Sequence, residues 1–253
     1  MTKVFLITKL KTTNIGNQAL SHEIINIFKE KVGAENLIVG GRPLNLFNFS
    51  MKEIMSSKNP EGLLDMWADQ VIKKYKSEKH SYKYKPEINW VSLDTLDSAV
   101  MRFEPIKKLL RPLKAKLKKY SLYNKNYEHR LNQINSSDIL VYSGAGEVGV
   151  YNVFLRQMLE IRIAQKLGKK TAAVNQSVVI EDDTFKKLLL HVYGKMDKIV
   201  VRGESSKAAL IKTGIDPNIF EIAPDTAIMT SSPNIRKQNK NLVGINFTPH
   251  INF

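Results

Sequence analysis

A chain of 253 residues with 43% hydrophobic content can bury a sizeable core, as one large domain or two small ones. The absence of cysteine excludes disulfides, thiolate metal sites and cysteine nucleophiles, so the chemistry must come from oxygen and nitrogen groups, and a reducing compartment fits. Lys and Arg number 39 against 24 acids, a net charge of +15, and the stretch 73–130 alone holds 16 of those cations against 6 acids. Such a local field attracts polyanions, either nucleic-acid phosphates or an anionic membrane surface.

The chain opens on "MTKVFLITKLK", too short and too interrupted for a signal peptide, and no run of 18 apolar residues follows, so a cytoplasmic protein is expected. A strand over 3–9 breaks into the loop "TTNIGNQA", and a helix follows over about 17–32. Ala19, Leu20, Ile24, Ile27 and Phe28 make one apolar stripe on it, Gly33 stands at the C-terminal cap position, and a second strand covers 36–40. In the loop, Gly16 is expected to supply a positive φ and Asn17 the N-cap. From 41 to about 137 the period loosens: Pro86, Pro105 and Pro112 interrupt it, and "KKYKSEKHSYKYKPE" is polar and basic. This reads as a basic insertion with helical pieces.

Order returns with the strand over 139–142, the small-residue loop "SGAGEVG" and a helix over about 152–167 stopped by Gly168. The strand "KTAAVNQ", a helix over 182–193, the strand "DKIVVRG", a helix over 204–213 and the short strand "IFEIAPD" complete the series. Strands that are short, apolar on both faces and alternate with helices define an α/β fold with a doubly wound, mainly parallel sheet. We expect this domain to span 1–229, a linker 230–240, and the strand "NLVGINF" within 241–253 to begin a second, truncated domain. On that expectation, half of any interdomain site is missing and the chain alone is inactive.

In an open parallel sheet, ligands sit beyond the carboxyl ends of the strands. That edge receives Asn14, Gly16 and Asn17, then Ser143, Gly144, Gly146 and Glu147, then Gln176 and Ser177, and finally Arg202, Glu204, Ser206 and Asp225. Gly144 and Gly146 let a backbone approach an anion, without the full dinucleotide fingerprint or the P-loop lysine. Glu147 is either a solvated acid or a base for sugar hydroxyls. Arg202 either pairs with Glu204 or Asp225 or clamps an oxyanion with its planar fork. Ser205 and Ser206 stand where helix caps stand, and Asp225 where a carboxylate braces backbone N–H groups. The five histidines show no ligand spacing, so no metal is expected, and Ser143 lies outside any GxSxG motif.

Taken in order, "NIGNQAL", "DILVYSGAGEVG", "GKKTAAVNQSV", "DKIVVRGESSKAALIKTGI", "IAPDTAI" and "LVGINF" resemble the polysaccharide pyruvyl transferase family over 3–40 and 137–248. The resemblance implies a Rossmann-like N-terminal half of a two-domain, GT-B-like enzyme. It implies transfer of a pyruvyl unit from phosphoenolpyruvate to a sugar as a cyclic ketal, in a bacterial cell-surface polysaccharide or its lipid-linked precursor. Phosphoenolpyruvate is then a substrate and no cofactor is required. Asn17 stands where the family often has an acid, Gln176 and Ser177 where it more often has glycine, and Arg202, Glu204 and Ser206 match its Arg-acid-x-Ser segment. Arg202 and Glu147 become the candidate catalytic residues, with a general acid and an important histidine expected from the absent domain. The acceptor on this reading is a sugar on a polyprenyl phosphate, and the segment 102–120 offers Leu, Ile and Lys to the inner face of a membrane. Two other readings remain: a nucleotide-sugar glycosyltransferase sharing the fold, and a basic nucleic-acid binder through "KKYKSEKHSYKYK", which carries no recognised nucleic-acid motif.

Overall fold

The computed structural model describes residues 1–10, 14–41, 43–44, 46, 51–78, 123–144, 151–179 and 182–229. Six strands form one sheet: β1 (Val4–Ile7), β2 (Leu37–Gly40), β3 (Ile139–Ser143), β4 (Lys170–Gln176), β5 (Lys198–Val201) and β6 (Phe220–Ile222). Their order is β2-β1-β3-β4-β5-β6 and every neighbouring pair is parallel. The helices are α1 (Ile15–Val32), α2 (Met51–Ser56), α3 (Pro60–Glu78), α4 (Tyr123–Ser136), α5 (Tyr151–Lys166), α6 (Asp183–Tyr193) and α7 (Glu204–Lys212). This is the α/β architecture with a parallel sheet that the alternation of apolar strands and periodic helices predicts, and the Rossmann-like form that the family resemblance implies.

Period-2 burial explains the layering. On β1 and β3, Val4, Leu6 and Val141 face α1, where Ile24 is buried and Ile25 and Phe28 pack against them. Their neighbours Phe5, Ile7, Leu140 and Tyr142 face the other way, into a larger core supplied by the remaining helices. Two helices from the stretch read as an insertion belong to that core. Leu64, Trp67, Ala68, Val71 and Tyr75 line one face of α3, and Tyr127, Leu131 and Ile134 one face of α4, all buried.

The start of α1 differs from the sequence expectation. Its N-cap is Asn14, whose side-chain oxygen accepts from Asn17 N at 3.1 Å, and Gly16 is a residue of the helix rather than a positive-φ turn. An asparagine three residues ahead of a free N–H closes the cap from outside, so the helix starts two residues earlier. Gly33 does close the helix with a positive φ, 83°, and donates its N–H to Lys29 O at 3.0 Å. Replacing Asn14 by alanine is expected to lower stability by about 1 kcal/mol in urea unfolding, whereas Asn14→Asp retains it. An unchanged midpoint for Asn14→Ala would show that the cap is idle.

On the outer side of the main core, Asp65 of α3 ties three helices together. Arg162 of α5 donates to both its carboxylate oxygens, at 2.6 and 3.1 Å, and His191 of α6 lies 3.0 Å from Oδ1. Burial alone raises the Asp65 carboxyl, but hydrogen bonds and charge from Arg162 and His191 outweigh it and hold the group well below the usual carboxylate range. A depressed folded-state pKa contributes stability above the ordinary value of about 4, and that contribution is lost as pH falls toward the depressed one. The gap in melting temperature between wild type and Asp65→Asn should therefore shrink below about pH 4. A gap that holds at acid pH counts against the assignment.

Candidate functional site

The strand order fixes where a ligand would sit. From β1 the chain moves outward to β2, then crosses back to β3 and continues the other way, so β1 and β3 flank the point where the winding reverses. The loop after β1 leads to α1 on one face, and the loop after β3 leads to α5 on the other. A crevice opens between such diverging loops, and helix N-termini point unpaired N–H groups into it. No acidic residue stands in the first turn of α1 to offset its positive end.

Ser143 and Gly144 stand at the carboxyl end of β3. Ser143 is 1% exposed, and its hydroxyl has no hydrogen-bond partner among the described residues. Register pairs Ile7 with Tyr142, which sets Ser143 beside Thr8 on the face toward α1; there Thr8 Oγ1 lies 3.0 Å from Ser21 Oγ. A Cβ at Gly144 would stand 2.7 Å from the Tyr142 ring and 3.3 Å from Gln176 Nε2, so only glycine fits. Gly146 and Glu147 lie outside the described residues.

Gln176 turns inward rather than into the crevice. Its Nε2 donates to Tyr142 O at 3.1 Å and Val174 O at 2.9 Å, and it is fully buried. The Tyr193 hydroxyl behind it accepts from Gln157 Nε2 at 2.7 Å, and burial pushes the Tyr193 phenol far above its usual range. Gln176 therefore ties the carboxyl ends of β3 and β4 together, a role that strand-edge position alone does not reveal.

Arg202 follows β5 and is half-buried. Its Nε donates to Ser177 Oγ at 2.9 Å, its Nη2 donates to the same oxygen, and its Nη1 pairs with Asp225 after β6. Of the two acids left open by the sequence, Asp225 is the partner and Glu204 is exposed at the start of α7. Asp225 also accepts from Ala227 N at 3.0 Å, the backbone bracing expected of it. Ser206 is not a cap: the N-cap of α7 is Gly203, and the buried Ser206 hydroxyl accepts from Val178 N at 3.1 Å, securing the turn after β4.

Two residues that sequence reasoning passes over, Asn175 and Thr226, complete the edge. Asn175 holds φ 55°, and its side chain donates to Thr226 Oγ1 at 2.7 Å. A signal for Asn175 exists in "KTAAVNQ", since asparagine is scarce inside strands and tolerates the left-handed region. Among the described residues no group of three His, Cys, Asp or Glu is placed to hold a metal ion, and no helix is long and apolar enough to cross a membrane. The segment 102–120 lies outside the described residues, as do 230–253 and the histidines His80 and His250.

A six-stranded, all-parallel open sheet with its polar loops gathered at the carboxyl edge defines a Rossmann-like ligand-binding protein. A family profile described as polysaccharide pyruvyl transferase matches residues 14–252, and the chain belongs to that family. Its activity class is accordingly pyruvyl transfer in polysaccharide synthesis. No curated protein and no solved structure matches the chain.

Proposed function

We propose that the protein transfers a pyruvyl unit from phosphoenolpyruvate to two hydroxyls of one sugar, forming a cyclic ketal on a cell-surface polysaccharide or its lipid-linked precursor. The observation that carries this reading is the family match over residues 14–252. The geometry at the carboxyl edge is compatible with the donor: a dianionic phosphate and a carboxylate need fixed N–H dipoles and a cation. The N-terminus of α1, with Asn14 and Asn17 on it, supplies dipoles, and Arg202 supplies the cation. Gly144 and Gly146 are assigned to the phosphate loop, and Glu147 to the base.

In the chemistry proposed, a proton adds to the methylene carbon of the enol and one sugar hydroxyl attacks the adjacent carbon, releasing its own proton. A second hydroxyl of the same sugar then displaces inorganic phosphate from that carbon and releases its proton. Atoms balance as phosphoenolpyruvate plus diol giving ketal plus phosphate. A donor for the first proton and an acceptor for those of the hydroxyls are both required, and Glu147 is assigned to acceptance. The sugar is proposed to arrive on a polyprenyl phosphate, with the basic segment 102–120 meeting the anionic membrane surface.

Thermal melting with added ligand tests the donor. Phosphoenolpyruvate is expected to raise the melting temperature by mass action while nucleotide sugars leave it unchanged. Stabilisation by a nucleotide sugar alone would replace this reading with a glycosyltransferase that shares the fold.

A further inference from the structure

We infer that Asn175 is a positioning residue which, with Thr226, closes a ring of hydrogen bonds that holds the Arg202 guanidinium at the carboxyl edge of the sheet. The inference rests on the reading of Arg202 as the cation that meets the donor. The ring can be traced atom by atom. Asn175 Nδ2 donates to Thr226 Oγ1 at 2.7 Å, and Thr226 N donates back to Asn175 Oδ1 at 3.3 Å. Thr226 follows Asp225, whose carboxylate takes Nη1 of Arg202. Arg202 donates Nε at 2.9 Å to Ser177 Oγ, and Ser177 is two residues from Asn175 on the same chain segment.

The circuit thus spans the ends of β4, β5 and β6, and both side chains that grip Arg202 are joined through Asn175. Thr226 adds an outside anchor, donating its hydroxyl to Leu20 O of α1 at 3.4 Å. Backbone bonds set the level of the three strand ends: Arg202 N donates to Gln176 O and Ala223 N to Val201 O, each at 3.0 Å.

The backbone at Asn175 indicates what the ring requires. The pairing of β4 with β5 shifts register between Ala173 and Gln176, and Asn175 is the non-glycine residue with positive φ among the described residues. A side chain in regular strand geometry alternates across the sheet, whereas the left-handed residue departs from that alternation, and it is Asn175 that meets Thr226. Asparagine tolerates this conformation better than most residues, and it brings both a donor and an acceptor. A cation fixed before the ligand arrives needs no reorganisation when an oxyanion binds.

Arginine-selective labelling with phenylglyoxal, read at Arg202 by peptide mass spectrometry, tests the ring without any ligand. Asn175→Gly keeps the backbone conformation and removes the side-chain bonds, so Arg202 should be labelled several-fold faster. Thr226→Val should do the same, and Thr226→Ser, which keeps the hydroxyl and the N–H, should label at the wild-type rate. If Asn175→Gly does not fold, the contrast between Thr226→Val and Thr226→Ser decides the same question. Equal labelling rates in wild type, Asn175→Gly and Thr226→Val overturn the inference. Calorimetry with phosphoenolpyruvate separates it from the functional reading: the two loosened variants should bind about tenfold more weakly than wild type through lost preorganisation. Absence of binding to the wild type defeats the donor assignment, while the labelling rates still decide the ring.

Discussion

Replacing Arg202 by alanine is expected to weaken phosphoenolpyruvate binding by about a hundredfold and to leave the unfolding transition cooperative. The two halves of that expectation have different origins. An arginine that offers planar N–H groups to a dianion makes charge-assisted bonds, and removing such a partner is among the larger losses a small ligand can suffer. The fold loses much less, because Arg202 and Asp225 are about a quarter exposed and their pair is partly screened by solvent. Ser177 and Asp225 both retain water as an alternative partner. Arg202→Lys is expected to fall between the two, since an ammonium keeps the charge but not the fork that reaches Ser177 and Asp225 together. Calorimetric titration with phosphoenolpyruvate, beside a melt of each variant, measures both effects. Retained affinity in Arg202→Ala would remove Arg202 from the donor site.

The sheet and its helices are legible in the sequence because each depends on local chemistry. Strand "KTAAVNQ" coincides with β4, and the helix starts at Asp183, Tyr151 and Glu204 lie within a residue of expectation. Position at the carboxyl edge also follows from strand direction alone, which is why Ser143, Gly144, Ser177, Arg202 and Asp225 can be named together. What those side chains do there is not legible. Gln176 and Ser206 stand at the edge but are spent inward on Tyr142 O and Val178 N, and that depends on which strand lies next to which. Choosing Asp225 over Glu204 as the partner of Arg202 likewise requires β6 to lie beside β5.

The helix α3 shows a different limit. Leu64, Trp67, Ala68, Val71 and Tyr75 recur at helical spacing, so the pattern is present in "PEGLLDMWADQVIKKYKSE". It is submerged in a longer stretch whose charge and prolines dominate the reading, so a helix that packs on the core falls in with the surface insertion. The cap at Asn14 is hidden for a third reason. Two asparagines flank Gly16, and only the conformation of the loop decides which of them accepts and which donates.

Glu160→Leu is expected to be severely destabilising, by about 3–5 kcal/mol, and the double variant Arg130→Met/Glu160→Leu is expected to recover most of that loss. Glu160 of α5 is wholly buried and Arg130 of α4 nearly so, with Nε 3.6 Å from Oε1. Burial pushes the Glu160 carboxyl up, against the opposing pull of Arg130 and of Leu44 N, which donates to the same oxygen at 3.0 Å. Arg130 in turn stacks over the Phe5 ring at 5.2 Å and donates Nη2 to Gly41 O at 3.4 Å. Remove the carboxylate alone, and the buried guanidinium loses the charge that Glu160 sets against it while Leu44 N loses its acceptor. Remove both charges, and the remaining deficit is the Leu44 N–H and the Gly41 carbonyl, while apolar side chains of similar volume fill the space. The pair therefore specifies more than it stabilises: it fixes how the chain leaves β2, at the edge of the sheet where the loops of the site gather. Gly40 belongs to the same contact, since a Cβ there would stand 2.7 Å from the Phe5 ring and 2.9 Å from Arg130 Nη1. Urea unfolding of the two single variants and the double completes a cycle. A double variant no more stable than Glu160→Leu would show that the loss arises from packing around residue 160 and not from a stranded charge.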